Sequence, residues 1–343
     1  MSIKSKYASL SKGKKAIAIT IACFMIFVIG VGIILGSYGI IYAVVQKEYK
    51  IENYTESVAK DTSLNKIHFL STGSSDCIIL ESQGHLAMID CAEDTDNPRG
   101  FEELELEGYE QKVIDYVKSN FADANGKVYF DFIIGTHAHS DHIGGFDTLL
   151  ADKDINVGKV FLKYYVPGLI KEQEVVEWDN EEVYNQMVSA VKARGFELIQ
   201  DIPTAEMVLG GYTLRLLNTA KPTKVVGENE NSLVVYVTDG NKKILLMGDC
   251  NYLDGDEQKI AKEIGKVDLL KVGHHGYGYS TGTPFLSKTQ PKLAILTNNR
   301  SKATVTVLFR LVMNSRTPTY ATGDYNGIVA VIGEEIKLYN NIH

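Results

Sequence analysis

The sequence predicts an α/β protein: an αββα sandwich behind one N-terminal transmembrane helix. Three observations predict it. Thirty uncharged residues run from Ala16 to Val45, hairpin-like strands open the remainder and give way to strands alternating with helices, and several apolar strands end in histidine or aspartate. The uncharged run exceeds the roughly 20 residues that cross a bilayer. No small-x-small cleavage pattern closes it, so an uncleaved helix over 16–45 is expected. Lys4, Lys6, Lys12, Lys14 and Lys15 precede the run, whereas Lys47, Lys50 and Lys60 follow it among three glutamates. The positive-inside rule then makes 1–15 a cytoplasmic basic tail of a single-pass cell-membrane protein, with the rest extracytoplasmic. Residues 46–63 are polar and mixed in charge and read as a stalk, leaving 64–343 as one domain large enough for a single core.

Within that domain, strands are expected at 66–70, 77–81, 86–90, 129–135, 159–163, 212–217, 233–238, 243–247, 268–272, 293–297 and 328–332. Helices are expected at 111–120, 179–194, 254–264 and 302–314. Asp239-Gly240-Asn241 between two apolar runs is a hairpin turn signal. Cys23 falls in the anchor, and the odd number outside it, Cys77, Cys91 and Cys250, fits buried small residues better than a disulfide framework.

The chemistry concentrates where Phe130-Asp-Phe-Ile-Ile-Gly135 runs into Thr136-His-Ala-His-Ser-Asp-His-Ile-Gly-Gly145. His137, His139, Asp141 and His142 are the ligand types that borderline divalent cations prefer, and they cannot crowd together without one at reasonable cost. His137 and His139, two apart in a loop, can grip one ion. Asp141 and His142 would open a helix running through Gly144 and Gly145 to Leu149 and point to a second. A buried strand also delivers Asp249, a carboxylate with no nearby Lys or Arg in sequence, which is costly unless it meets a cation. The strand Val267–Gly273 ends in His274-His275-Gly276, again ligand-like.

These motifs in this order resemble the metallo-β-lactamase-fold hydrolase superfamily. Within it, the chain is similar to the extracytoplasmic hydrolase domain of ComEC-type competence DNA-uptake channels and to phosphorylcholine esterases of Gram-positive cell surfaces. The flanking Ser71-Thr-Gly-Ser-Ser-Asp76-Cys and Met88-Ile-Asp90-Cys fit the opening hairpin of that superfamily, and the likeness covers roughly residues 64–335. It implies two divalent ions, zinc or alternatively manganese: one on His137 and His139, the other on Asp141, His142 and one histidine of the 274/275 pair, with Asp249 bridging. We assign His274 as that ligand and His275, with Asp141, to catalysis, although the residues leave the choice within the pair open. One departure stands out: much of the superfamily has a further histidine before the bridging aspartate, and this chain has none from Ile143 to Gly273. Glu228, Asn229 or a water is expected in its place, which makes the His137/His139 site the weaker one.

The expected function is metal-dependent hydrolysis of a phosphodiester by hydroxide, since a bound dication lowers the pKa of its water to about 7 and a second receives the leaving oxygen. The substrate expectations are DNA or a teichoic-acid phosphorylcholine. The chain has a net charge of −8, and without its five N-terminal lysines −13, with no visible Lys/Arg cluster of the kind that binds phosphate backbones. Tyr277 and Tyr279 are candidate substrate contacts, because aromatic faces attract quaternary ammonium. The alternatives are a lactone or β-lactam hydrolase, and a non-catalytic surface binding module with a degenerate metal site.

Overall fold

A computed structural model describes residues 11–94, 107–254, 256–340 and 342. Residues 1–10 of the basic tail, with Lys4 and Lys6, lie outside the described residues. Strands β1 (Ile51–Asn53), β2 (Asn65–Phe69), β3 (Ile78–Ser82), β4 (His85–Ile89), β5 (Val128–Gly135), β6 (Ile155–Leu162) and β7 (Glu197–Ile199) enter a first sheet. Strands β8 (Met207–Leu209), β9 (Tyr212–Leu217), β10 (Val234–Asp239), β11 (Lys242–Leu246), β12 (Leu269–Lys271), β13 (Leu293–Leu296) and β14 (Thr319–Ala321) form a second. Strands β15 (Ile328–Ile332) and β16 (Lys337–Asn340) return to the first. The sheet orders are β1-β16-β15-β2-β3-β4-β5-β6-β7 and β14-β13-β12-β11-β10-β9-β8.

Three apolar layers make this an αββα sandwich. Alternate residues of the two sheets meet between them: Ile67, Phe69, Ile78, Leu80, Ile134, Leu214, Val235, Leu246 and Ile295 are all buried together. The opposite face of the first sheet packs on helices Glu110–Phe121, Phe146–Ala151 and Asn180–Arg194, and that of the second on helices Asp256–Ile264 and Thr283–Thr289. Because helices and the other sheet cover both faces, the central parallel strands carry continuous apolar runs, as in Phe132-Ile-Ile of β5. Helix Asn180–Arg194 buries Val183, Met187 and Val191 at a four-residue repeat and stops at Gly195, whose φ of 69° gives a left-handed cap. Gly240 takes φ 56° in the β10–β11 turn, between the paired Asp239 and Lys242.

The N-terminal helix, Lys12–Val45, is 34 residues long, and its most apolar window has no buried residue. The stalk expected over 46–63 is instead part of the domain. Ile51–Asn53 pair in parallel with Leu338–Asn340, and Gln46 exchanges two hydrogen bonds with the Thr319 backbone, at 2.8 and 2.7 Å. Polar composition hid this, because a three-residue edge strand needs few apolar positions. Cys77, Cys91 and Cys250 are buried and unpaired.

Candidate metal centre

The donors sit where strand ends of both sheets converge. Four loops supply them: after β4 (Asp90), after β5 (His137 to His142), after β11 (Asp249) and after β12 (His274 and His275). Backbone hydrogen bonds lace these loops together, from Cys91 N to His142 O at 2.7 Å, Asp76 N to Asp141 O at 3.1 Å and His274 N to Gly248 O at 3.1 Å. The helix expected to run from Asp141 to Leu149 is split into Ser140–Ile143 and Phe146–Ala151, with Gly144 and Gly145 at the break. A Cβ on Gly145 would lie 2.4 Å from the Cys91 carbonyl, so this glycine permits the close crossing of two loops.

His142 and His275 face each other, Nε2 to Nε2, at 3.1 Å. Asp249 brings Oδ1 within 3.2 Å of His142 Nε2 and Oδ2 within 3.3 Å of His275 Nε2. Asp141 Oδ2 lies 3.2 Å from His275 Nε2 and 3.9 Å from His142 Nε2. Ligands about 2.1 Å from a tetrahedral ion stand roughly 3.4 Å apart, so these separations suit a single cation among the four side chains. Polar groups orient the rings from behind, with Thr297 Oγ1 3.1 Å from His275 Nδ1. Asp90 Oδ2 accepts from His142 Nδ1 at 2.7 Å and is itself fixed by Thr136 N and Oγ1, and Asp76 Oδ1 lies 3.2 Å from His275 Nδ1. Asp76, His142, Asp249 and His275 also offer atoms within 4.8 Å of one another. Asp76, however, pairs with the buried Lys271, so we place it in the supporting layer.

The electrostatics fit a cation. Burial favours neutral imidazoles, yet Asp249, Asp141 and Asp90 hold the His142 pKa well above its ordinary value, and Asp249 and Asp76 do the same for His275. Burial would raise Asp249, but His275 and His142 hold it well below the carboxylate range. The side-chain atoms Asp249 Oδ1, Asp76 Oδ1, His139 Nε2 and Asn229 Oδ1 are buried with no hydrogen-bond partner, which is expensive in a site without an ion.

The other expected ligands form a second, poorer group. His137 Nε2 meets His139 Nδ1 at 3.1 Å, and burial with His142 and His139 nearby keeps His137 well below its usual pKa. In place of the missing histidine, Glu228 binds the Ala138 amide at 2.9 Å, and Glu174 comes within 3.9 Å of His139 Nε2. The geometry exchanges the roles assigned to the adjacent histidines. His275 enters the four-donor cluster, whereas His274 lies toward the mouth, with Nδ1 3.1 Å from Gly278 O and Nε2 3.4 Å from Asn229 and 3.9 Å from Asp249. Both residues have positive φ, 52° and 50°, a strained conformation common at functional sites. Tyr277 borders this mouth, its ring 5.6 Å from that of His274 and its hydroxyl 2.9 Å from Ser74 Oγ. Tyr279 packs against Tyr252 and is 60 % exposed, at the rim.

Sequence reading assigned no role to Asp76, Asp90 or Lys271. It also took Asp249 to have no nearby cation, but Lys271 Nζ is 3.7 Å from Asp249 Oδ1. The signal was a lysine in the otherwise apolar strand Leu269-Leu-Lys271, an aspartate just before the apolar strand β3 and another just after β4.

Residues 121–282 match the family model described as the β-lactamase superfamily domain. That stretch is similar to the β-lactamase superfamily domain. It contains every expected ligand and both tyrosines. Over 183 residues the chain is 31% identical to ComE operon protein 3 of Bacillus subtilis, covering 52% of this chain and 22% of that protein. Over 73 residues it is 41% identical to Recombination protein 2 of Haemophilus influenzae, covering 21% and 9%. The chain thus spans less than a quarter of either relative. Among solved structures it is similar to the metallo-β-lactamase fold protein YhfI of Bacillus subtilis, with 13% identity, a TM-score of 0.46 and coverage of 75% and 95%. It is also similar to CmlA, a diiron β-hydroxylase from Streptomyces venezuelae, with 12% identity, a TM-score of 0.43 and coverage of 75% and 53%.

Proposed function

We propose that this chain is a membrane-anchored metallohydrolase that cleaves phosphodiesters on the outer side of the membrane. The observation that carries the reading is the buried set His142, His275, Asp141 and Asp249, with His142 held from behind by Asp90 and His275 by the Thr297 hydroxyl, 3.1 Å from its Nδ1. These four side chains would hold the tighter divalent ion, and His137 and His139, lacking a third histidine, a weaker one bridged by Asp249. Ions so held supply hydroxide at neutral pH and Lewis acidity toward a phosphoryl oxygen. The chain's own groups do the rest. Asp90 and Thr297 fix ring orientation, so His142 and His275 present Nε2 inward. His274 places its Nε2 3.9 Å from Asp249 Oδ2 and 3.4 Å from Asn229 at the edge of the cluster, where a phosphodiester anion would favour its protonated form and let it give that proton to the leaving oxygen. Tyr277, tied to Ser74, supplies a hydroxyl beside it.

The name of the Haemophilus relative, Recombination protein 2, favours a nucleic-acid phosphodiester over phosphorylcholine. The excess of lysines before the N-terminal helix supports an outward-facing domain. The test is the full-length chain in detergent, loaded with Zn²⁺ or Mn²⁺ and offered bis-p-nitrophenyl phosphate, single-stranded DNA, a choline phosphodiester and a β-lactam reporter. Turnover of the phosphodiesters with DNA preferred supports the reading. Turnover of the β-lactam alone would overturn it.

A further inference from the structure

The N-terminal helix is longer than a bilayer needs, and its surplus is docked. At 1.5 Å per residue, Ala16 to Gly36 spans roughly 31 Å, close to the hydrocarbon thickness of about 30 Å. From Ser37 onward the helix turns a stripe toward the domain: Tyr38, Ile41 and Tyr42 are partly covered and Val45 is buried. Tyr38 stacks on Phe309 with ring centroids 6.3 Å apart and meets Arg300 Nη2 at 3.3 Å, and Arg300 also lies 4.3 Å over the Tyr42 ring. Below them, Gln46 is clamped to Thr319, and the Tyr320 hydroxyl donates to the Gln46 and Tyr49 carbonyls. The joint is therefore stiff, and Tyr38, its contact nearest the membrane-spanning part, lies against helix Val305–Phe309 and the turn Arg310–Asn314.

We infer that residues 300–316 form a second membrane contact, lying on the anionic phospholipid surface of the bilayer that the N-terminal helix enters. This rests on the membrane-anchored reading above. The segment reads Arg-Ser-Lys-Ala-Thr-Val-Thr-Val-Leu-Phe-Arg-Leu-Val-Met-Asn-Ser-Arg, with four basic residues and no carboxylate on a chain of net charge −8. Val305 is 77 % exposed, and Leu308, Phe309 and Met313 are partly exposed, giving an apolar edge beside the basic residues. An apolar edge flanked by Lys and Arg is how interfacial helices sit among headgroups. The segment also supports the mouth of the site: Thr304 N donates to Gly276 O at 2.9 Å, and Arg310 Nη2 to Ser280 O at 3.0 Å. The loop carrying Tyr277 is thus held at the membrane surface, and substrate is met there rather than in free solution.

The test uses full-length Cys23→Ser protein, whose other cysteines are buried, with one added cysteine, Phe27→Cys, Val305→Cys or Val208→Cys, carrying a polarity-sensitive fluorophore. Phe27 is on the exposed face of the N-terminal helix, and Val208 is on β8 at the far edge of the second sheet. In vesicles of phosphatidylcholine with phosphatidylglycerol, position 27 should lose most of its emission to a mid-chain nitroxide lipid. Position 305 should lose most of its emission to a headgroup nitroxide and shift to the blue, and position 208 should do neither. If 27 is quenched while 305 behaves like 208, the surface contact is wrong and the anchor stands. If 27 is not quenched, the anchor fails and the inference with it. Equal quenching at 305 in phosphatidylcholine alone would overturn the anionic preference.

Discussion

Asp90 never faces the space between the histidines, yet it fixes His142 through a 2.7 Å contact and holds Thr136 as well. Removing such a rear carboxylate typically costs 10–100-fold in metal affinity, so Asp90→Asn should weaken metal binding by roughly that factor, as read by competition with a chromogenic chelator. The adjacent histidines should separate cleanly: His275→Ala loses the tight ion, and His274→Ala keeps it while turnover falls. Metal content after dialysis checks both. Surrounding carboxylates raise the pKa of both His142 and His275, and a histidine must give up its proton to bind a metal. Affinity should therefore fall steadily as pH drops, with proton release on binding in a weakly buffered titration. At this scale the contiguous His137-to-His142 motif was legible because its ligands share one loop. Asp76 and Asp90 were visible only as flanking residues, and the choice between His274 and His275 depends on left-handed backbone that the residue types do not announce.

The long elements were legible because their burial is periodic or continuous, as in β5 and helix Asn180–Arg194. Short edge strands such as β1, β7, β8 and β14 were not, since three residues paired on a sheet edge need no hydrophobic pattern. The opening hairpin carries a buried network in which Lys66 Nζ donates to Glu81 Oε1 at 2.9 Å, and His68 links Glu81 to the Tyr116 hydroxyl. Lys66→Met would leave Glu81 without its cation and should cost about 3–5 kcal/mol of unfolding free energy in a denaturant titration. Burial would raise Glu81, but His68 and Lys66 hold its pKa below the usual 4.5. The stabilisation from its charge is therefore present above pH 4.5 and lost as pH falls through the lower folded value. Gly145→Ala drives a methyl against the Cys91 carbonyl at the loop crossing. It should lower both the unfolding midpoint and metal affinity.

Across the whole molecule, two sheets bring four loops to one edge, and a stiff joint sets that assembly on a single apolar helix. The expected sandwich was readable from alternating strands and helices. The integration of residues 46–63 was not, because the contacts that absorb them lie near 319 and 338, far along the chain. The central claim is that Asp141, His142, Asp249 and His275 form the tighter of two unequal metal sites in a phosphodiesterase. The most direct test is metal titration of the full-length chain coupled to bis-p-nitrophenyl phosphate hydrolysis, in the native protein and in Asp249→Ala and His137→Ala. The account predicts one tight and one weaker equivalent in the native protein, loss of both tight binding and turnover in Asp249→Ala, and loss of only the weaker equivalent in His137→Ala. Fewer than one metal per chain, with no turnover and no change on Asp249→Ala, would contradict it.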